Sequence, residues 1–316
     1  KMFSRFFKSI SCFNIDISED EWHNLLDIET LKQLQHIPIK QSQKESIGFS
    51  SVTGYHNPDL LYHHVDRFHF LSVTRETKKV SKLKVEQRVV EAKRTLAERR
   101  KVATDDLEEQ EIQELKEKIE REELSKKSPD EARINLVLDP LKQRMYVDTV
   151  GTDTIIKKTV SMLRKLAPSF KVHPFVTNPA ETILTQWLYN PNTVLPDELA
   201  LGNEASLKSP EDSKAKLFKQ DLESEEVKIL MNHGKQVFDI AVSYQERIGF
   251  TLNNIGYLKK VKPRDMFYDG VERIDVTESY LQEYQQDWEL LVSWLTEFYD
   301  WLEIKFDLPK TEKDAT

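Results

Sequence analysis

Apolar positions along this chain fall into short alternating runs and longer runs with helical spacing. Residues 9–17 set Ile10, Cys12, Phe13, Ile15 and Ile17 in near-alternation, which predicts a half-buried strand. Ser18 and Glu21 then have the spacing of a capping box, predicting a helix to about Leu34. A second strand is expected over 68–74. Two helices follow, over 80–101 and from the break at 103–106 to about Leu124, together a helical hairpin. Residues 134–139 and 144–148 read as paired strands around the turn Asp139-Pro140-Leu141-Lys142. A helix is predicted over 152–166. Asn178, Pro179 and Glu181 open another as cap, first-turn proline and box partner.

The stretch 195–213 is polar and weakly periodic and reads as loop or edge structure. A short helix over 224–232 precedes a meander of 236–244, 248–252 and 257–261, with Asn253-Asn254 as a turn. Asp275 and Glu278 open a final helix that runs to about Phe306. The fold class is therefore α+β, with mostly antiparallel sheets, segregated helices and a protruding helical hairpin.

Charge changes the picture most in the hairpin. Residues 75–101 hold eleven lysines and arginines against Glu76, Glu86, Glu91 and Glu98, a surplus of seven positive charges. Residues 105–123 hold ten acids against Lys116, Lys118 and Arg121, a surplus of seven negative ones. The whole chain carries a net charge of −8, so a basic rod within it calls for a local use, and a polyanion such as nucleic acid is the first candidate. On a helical wheel the basic helix shows two apolar stripes, Leu83–Val90–Ala97 and Val85–Val89–Leu96. Lys82, Lys93 and Arg100 lie between the stripes, and Lys84, Arg88 and Arg99 lie opposite. Further basic pairs occur at Lys157-Lys158, Arg164-Lys165, Lys214 to Lys219, and Lys259-Lys260 with Lys262 and Arg264. The competing expectation is that the acidic helix simply neutralises the basic one, leaving a scaffold for protein partners.

With 316 residues, 39% hydrophobic and 32% charged, the chain can form two or three modest domains or one elaborated one with a large surface. Its single cysteine, Cys12, excludes an intrachain disulfide and reads as an inert buried thiol. No apolar run reaches the ~20 residues of a membrane span, and no signal-type run follows the first residues, so a cytoplasmic location is expected. Only eight glycines occur, with no P-loop and no dinucleotide or nucleophile-elbow motif, so no cofactor is expected. His56, His63, His64 and His69 lack metal-ligand spacing, and no metal is expected.

One enzymatic pattern remains. Asp66 followed by Glu76-Thr77-Lys78 has the order of a Mg²⁺-dependent nuclease, in which two carboxylates hold the ion and a lysine assists the attacking water. Near the C-terminus, Trp288, Trp294, Phe298 and Trp301 line a broad apolar helix face amid acids. That face suits a core or a subunit interface better than nucleotide stacking.

Several ordered segments carry a resemblance. They are Leu163-Arg164-Lys165, Val172 and Pro174, Asn178-Pro179-x-Glu181, Leu184-Thr185-x-Trp187, Lys219-Gln220-Asp221-Leu222, Ser224-Glu225-Glu226, Gly234-Lys235 and Gln245-x-Arg247-Ile248-x-Phe250. Their order and spacing resemble the bacterial recombination-associated protein RdgC family, from roughly Phe3 to Phe298 and most strongly from Asp148 onward. The resemblance implies a non-enzymatic DNA-binding protein of the nucleoid. Two horseshoe-shaped subunits would close into a homodimeric ring around duplex DNA, single strands being a further possible ligand. Binding would show no marked sequence preference and would restrain a RecA-type recombinase.

It divides the chain into a central region (2–75 with 133–175), a hairpin arm (76–132) and a C-terminal region with a dimerising helix (176–316). The residues expected on DNA are Lys78, Lys82, Lys84, Arg88, Lys93, Arg94, Arg100, Lys101, Lys157, Lys158, Lys219 and Gln220. Those expected at the dimer interface are Trp288, Trp294, Phe298 and Trp301. The family's aromatic gate segment has no aromatic counterpart over 125–133 here, which leaves closure to other residues, Leu136 or Tyr146 among them.

Overall fold

Alternating inward and outward side chains build two antiparallel sheets, and one aromatic helix fills the space between them. A computed structural model describes residues 7–150, 154–189, 194–272 and 280–308. The strands are β1 (Ser11–Asp16), β2 (Glu45–Ser50), β3 (Tyr62–Val65), β4 (Phe68–Thr77), β5 (Asp130–Asp139), β6 (Arg144–Val147), β7 (Lys171–Pro174), β8 (Leu199–Lys208), β9 (Lys214–Phe218), β10 (Gln236–Tyr244), β11 (Ile248–Asn253) and β12 (Leu258–Pro263). The helices are α1 (Trp22–Leu26), α2 (Ile28–Lys32), α3 (Lys82–Arg100), α4 (Glu109–Ser125), α5 (Thr154–Leu166), α6 (Glu181–Leu188), α7 (Glu225–Asn232) and α8 (Tyr280–Lys305). None of them is long and apolar enough to cross a membrane.

The first sheet runs β2-β4-β5-β6-β1-β7, and β3 continues the β2 edge along β4. The second runs β12-β11-β10-β8-β9. Residues 8–10 stitch them together. Ile10 and Leu258 exchange both backbone hydrogen bonds at 2.9 Å, and the Val261 N–H donates to the Lys8 carbonyl. One face of the first sheet, with Leu71, Val73, Leu136, Leu138 and Met145, packs on α1, α2 and α5. Its opposite face, with Phe70, Val137 and Tyr146, shares a core with α8 and the second sheet. α8 reaches both: Trp288 stacks on Phe70 at 4.7 Å, Tyr299 meets Tyr146 at 5.5 Å, and Phe298 meets Phe250 at 5.0 Å. A buried arginine fastens the far end of this helix to the first sheet, where Arg144 of β6 donates to Asp300 (2.7 Å) and Glu303 (2.9 Å).

Most expected elements form, and three expectations need correction. The helix after Ser18 is a 3₁₀ turn followed by α1 and α2, broken at Asp27, whose carboxylate caps α2 through the Thr30 N–H. Ser18 makes no side-chain cap, because the Glu21 carboxylate instead accepts from the backbone and hydroxyl of Ser169. α6 begins at Glu181 with Ala180 as its cap, since Glu181 accepts from Asn254 Nδ2 rather than closing a box on Asn178. Within 195–213, expected as loop or edge, residues 199–208 form β8, an interior strand between β10 and β9, and the flanking residues are loop. The register shift against β10 between Ile240 and Val242 sets residues 202–204 of β8 against Ala241 alone and breaks the period that the sequence would otherwise show. Asp275 and Glu278, expected to open the last helix, lie outside the described residues.

Two predictions follow from packing. Gly48 in β2 lies against the chain at His36, where an added Cβ would come within 2.2 Å of the His36 nitrogen. Gly48→Ala should therefore lower stability in urea unfolding by about 1–3 kcal/mol or more, and an unchanged midpoint would contradict this packing. Arg144→Met should cost about 1–3 kcal/mol by removing the buried cation shared by Asp300 and Glu303, Lys142 staying on Asp300 at 3.4 Å, whereas an unchanged unfolding midpoint would remove Arg144 as the fastener of α8.

Candidate nucleic-acid interface

The basic helix α3 is capped by the Ser81 hydroxyl, which accepts from the Lys84 N–H, and ends at Lys101 in the left-handed region (φ 57°). It packs antiparallel on acidic α4 through Val85 and Ala97, both buried. Salt bridges register the pair: Lys84 to Glu123 at 2.8 Å, Arg88 to Glu122 and Glu123 at 2.7 and 2.9 Å, and Arg100 to Glu111 at 2.5 Å. Glu123 lies buried between these cations, and hydrogen bonds from Lys84 and then Lys126 pull its carboxyl down to about 2. The two-stripe expectation fails at this point. The Val85 side packs on α4, but Leu83 and Val90 are 65% and 48% exposed.

Local pairing holds several of the residues expected on DNA. Lys84, Arg88 and Arg100 are held by α4. Lys78 is buried, and its ammonium donates to the Gln41 carbonyl at 3.2 Å. Lys158 is tied to Glu45 at 2.8 Å, which Arg75 also grips at 2.7 Å. Lys82, Lys93, Arg94, Lys101 and Lys157 make no salt bridge among the described residues, and all but Lys93 are exposed. Lys219 is exposed, with its ammonium 5.5 Å from the Phe218 ring, and Gln220 donates to Glu226 of α7 at 2.8 Å.

A second basic surface lies on the C-terminal sheet. A groove of about 910 Å³ has a floor of Gly202, Ala241, Ser243, Gly249 and Thr251 and a basic wall of Lys8, Lys260, Lys262 and Arg264. Small floor residues let a ligand approach the sheet backbone, and the wall supplies charge. Lys260 is paired with Glu204, while Lys8, Lys262 and Arg264 have no salt bridge among the described residues. Sequence reading found the cluster at 259–264 but not the glycines and alanine beneath it. Those residues come from β8, β10 and β11, and only strand pairing brings them together.

The aromatic face of α8 is not available to a second subunit. Trp288, Trp294 and Phe298 are 5%, 3% and 0% exposed and packed within this chain, and Trp301 is half-buried against Trp187 and Tyr244. Leu136 and Tyr146, considered for ring closure, are buried as well. The nuclease pattern does not converge. Asp66 occupies the turn before β4 and Glu76 the far end of that strand, roughly 30 Å apart at about 3.3 Å per residue. Glu76 instead accepts from the Ile39 N–H at 2.7 Å and faces His36 at 3.1 Å. Among the described residues no three His, Cys, Asp or Glu side chains are grouped to hold a metal ion.

A family model described as "Putative exonuclease, RdgC" matches residues 5–307. Proteins named recombination-associated protein RdgC from Yersinia pestis (strain Pestoides F) and Yersinia pseudotuberculosis serotype O:1b (strain IP 31758) are 32% identical over 206 residues, covering 57% of this chain and 67% of each relative. The same-named protein of Yersinia enterocolitica is 32% identical over 161 residues, or 50% of this chain and 52% of the relative. With nearly its whole length matched, the chain belongs to the RdgC family of recombination-associated proteins.

Proposed function

We propose that this protein binds DNA through the phosphate backbone, without sequence preference and without cleaving it, and that a homodimeric ring of it restrains a RecA-type recombinase by occupying the DNA. The observation that carries this reading is the set of cations left over once internal salt bridges are formed. Lys82, Lys93, Arg94 and Lys101 remain on α3, Lys157 on α5, and Lys8, Lys262 and Arg264 in the groove of the second sheet. A chain of net charge −8 that leaves these bases without a salt bridge among the described residues presents locally positive surfaces where a polyanion can lie. Phosphate contacts of this kind carry no base information, and the chain has no zinc finger or RNP-type aromatic motif. Subunit contact in a ring falls to surfaces other than the α8 aromatics. Exposed Phe218 beside Lys219, and exposed Ile229 on α7, suit it.

The alternative, a scaffold whose hairpin charges only balance each other, is supported by the α3–α4 salt bridges alone and leaves Lys82, Lys93 and the groove without a role.

Each neutralised phosphate releases about 0.9 counterion, so the logarithm of affinity should fall steeply with the logarithm of salt. Lys93→Glu with Arg94→Glu, and separately Lys262→Glu with Arg264→Glu, should weaken duplex binding and flatten the salt slope by about 1 per cation removed. Filter binding across a salt series checks this. An unchanged slope in both variants favours the scaffold, and Mg²⁺-dependent loss of an end label contradicts binding without cleavage.

A further inference from the structure

The face of the first sheet that meets α8 carries, besides Arg144 and His63, a row of three polar residues. Ser72 of β4, Asn135 of β5 and Asp148, just beyond β6, lie side by side across three neighbouring strand segments. Ser72 donates to Asn135 Oδ1 at 2.5 Å, and Asn135 donates to both carboxylate oxygens of Asp148 at 2.8 and 2.7 Å. This row floors a cavity of about 330 Å³ whose walls include Phe7, Phe70, Tyr284 and Trp288. Arg133 and Lys8, both exposed, also line it, so cations meet the aromatic walls. The Arg133 guanidinium donates to the Ser51 carbonyl at 2.6 Å and reaches the Ser72 hydroxyl at 3.4 Å.

The fold gives this row no evident structural purpose. Among the described residues the hydrogen-bonded side-chain partner of this carboxylate is the neutral amide of Asn135, and burial pushes the Asp148 carboxyl up. An apolar triplet in continuation of Phe70 and Val137 would have closed the core. Stacking surfaces, an acceptor pair at the floor and a guanidinium at the rim are the parts of a site for one flat heterocycle.

We propose that this cavity receives a single guanine ring, carried by a free nucleotide or by a DNA strand with one base turned out. Guanine presents two adjacent N–H donors on its pairing edge, which suit the two oxygens of Asp148, and two acceptors on its other edge, which suit Arg133. Adenine offers one donor beside an acceptor on the pairing edge and meets the carboxylate with a lone pair. Half-buried Tyr284 supplies the stacking face, which is indifferent to base identity, and Trp288 packs against it at 5.2 Å. Lys8 borders both this cavity and the basic groove of the second sheet, so a phosphate at the groove and a base in the cavity can belong to one nucleotide. The inference extends the DNA-binding reading from backbone to base, and it stands or falls separately from it.

The test is a tryptophan-fluorescence titration of the full chain with GMP, AMP, and a short oligothymidine strand carrying one central dG or dA. GMP, the dG strand or both should quench saturably and bind about tenfold or more tightly than the adenine counterpart. Asp148→Asn should abolish that preference, and Trp288→Phe should remove the quench. If Asp148→Asn does not fold, as judged by circular dichroism, Arg133→Gln at the exposed rim should weaken guanine binding instead. Absence of saturable quenching by either guanine ligand, equal binding of guanine and adenine, or quenching unaltered by Trp288→Phe would overturn the proposal. Backbone retention of duplex that persists in Asp148→Asn separates failure of the cavity from failure of the DNA-binding reading.

Discussion

Everything in this molecule hangs on the packing of one aromatic helix between two sheets. α8 turns Trp288 and Tyr299 toward the first sheet and Phe298 toward the second, and its far end is held by Arg144 through Asp300 and Glu303. Large rings bury much apolar area each and keep specific geometry, so one helix of this kind can serve two sheets at once. The backbone stitch at Ile10 and Leu258 fixes where those sheets meet, and α8 fills the space that the stitch leaves. The same demand explains the acids around the aromatic face. Asp300 and Glu303 are anchors for Arg144, not a coat that repels nucleic acid.

Charge in this protein works by subtraction. Its basic rod is real in composition, but α4 claims Lys84, Arg88 and Arg100, a backbone carbonyl holds Lys78, and Glu45 holds Lys158. What remains is a sparser set of cations spread over a helix and a sheet groove. A sparse distributed set suits backbone contact along an extended polyanion better than a single deep charged pocket does.

How much of this was legible in the sequence depends on the range over which each signal acts. The α3–α4 pair, the β5–β6 turn and the β10–β12 meander are local. Ser81, Asp139 and Asn253 announce them within a few residues. β8 is hidden because an irregularity at residues 202–204, opposite Ala241 of β10, interrupts the alternation that marks a strand. The aromatic stripe of α8 was visible, yet its partner was not. Burial by a neighbouring subunit and burial by one's own sheets leave the same sequence pattern. The Ser72–Asn135–Asp148 row was invisible for a similar reason, since its members come from three chain segments that only the register of β4, β5 and β6 aligns.

The chain belongs to the RdgC family, and the name its relatives carry places them in recombination. The central claim is that DNA is held by encirclement and unpaired surface charge, without a catalytic step. The most direct measurement is retention of the protein on covalently closed circular duplex after a high-salt wash, before and after the same circle is cut once. A closed ring predicts that protein stays on the circle and slides off the cut molecule. Equal loss from circular and linear DNA would contradict encirclement.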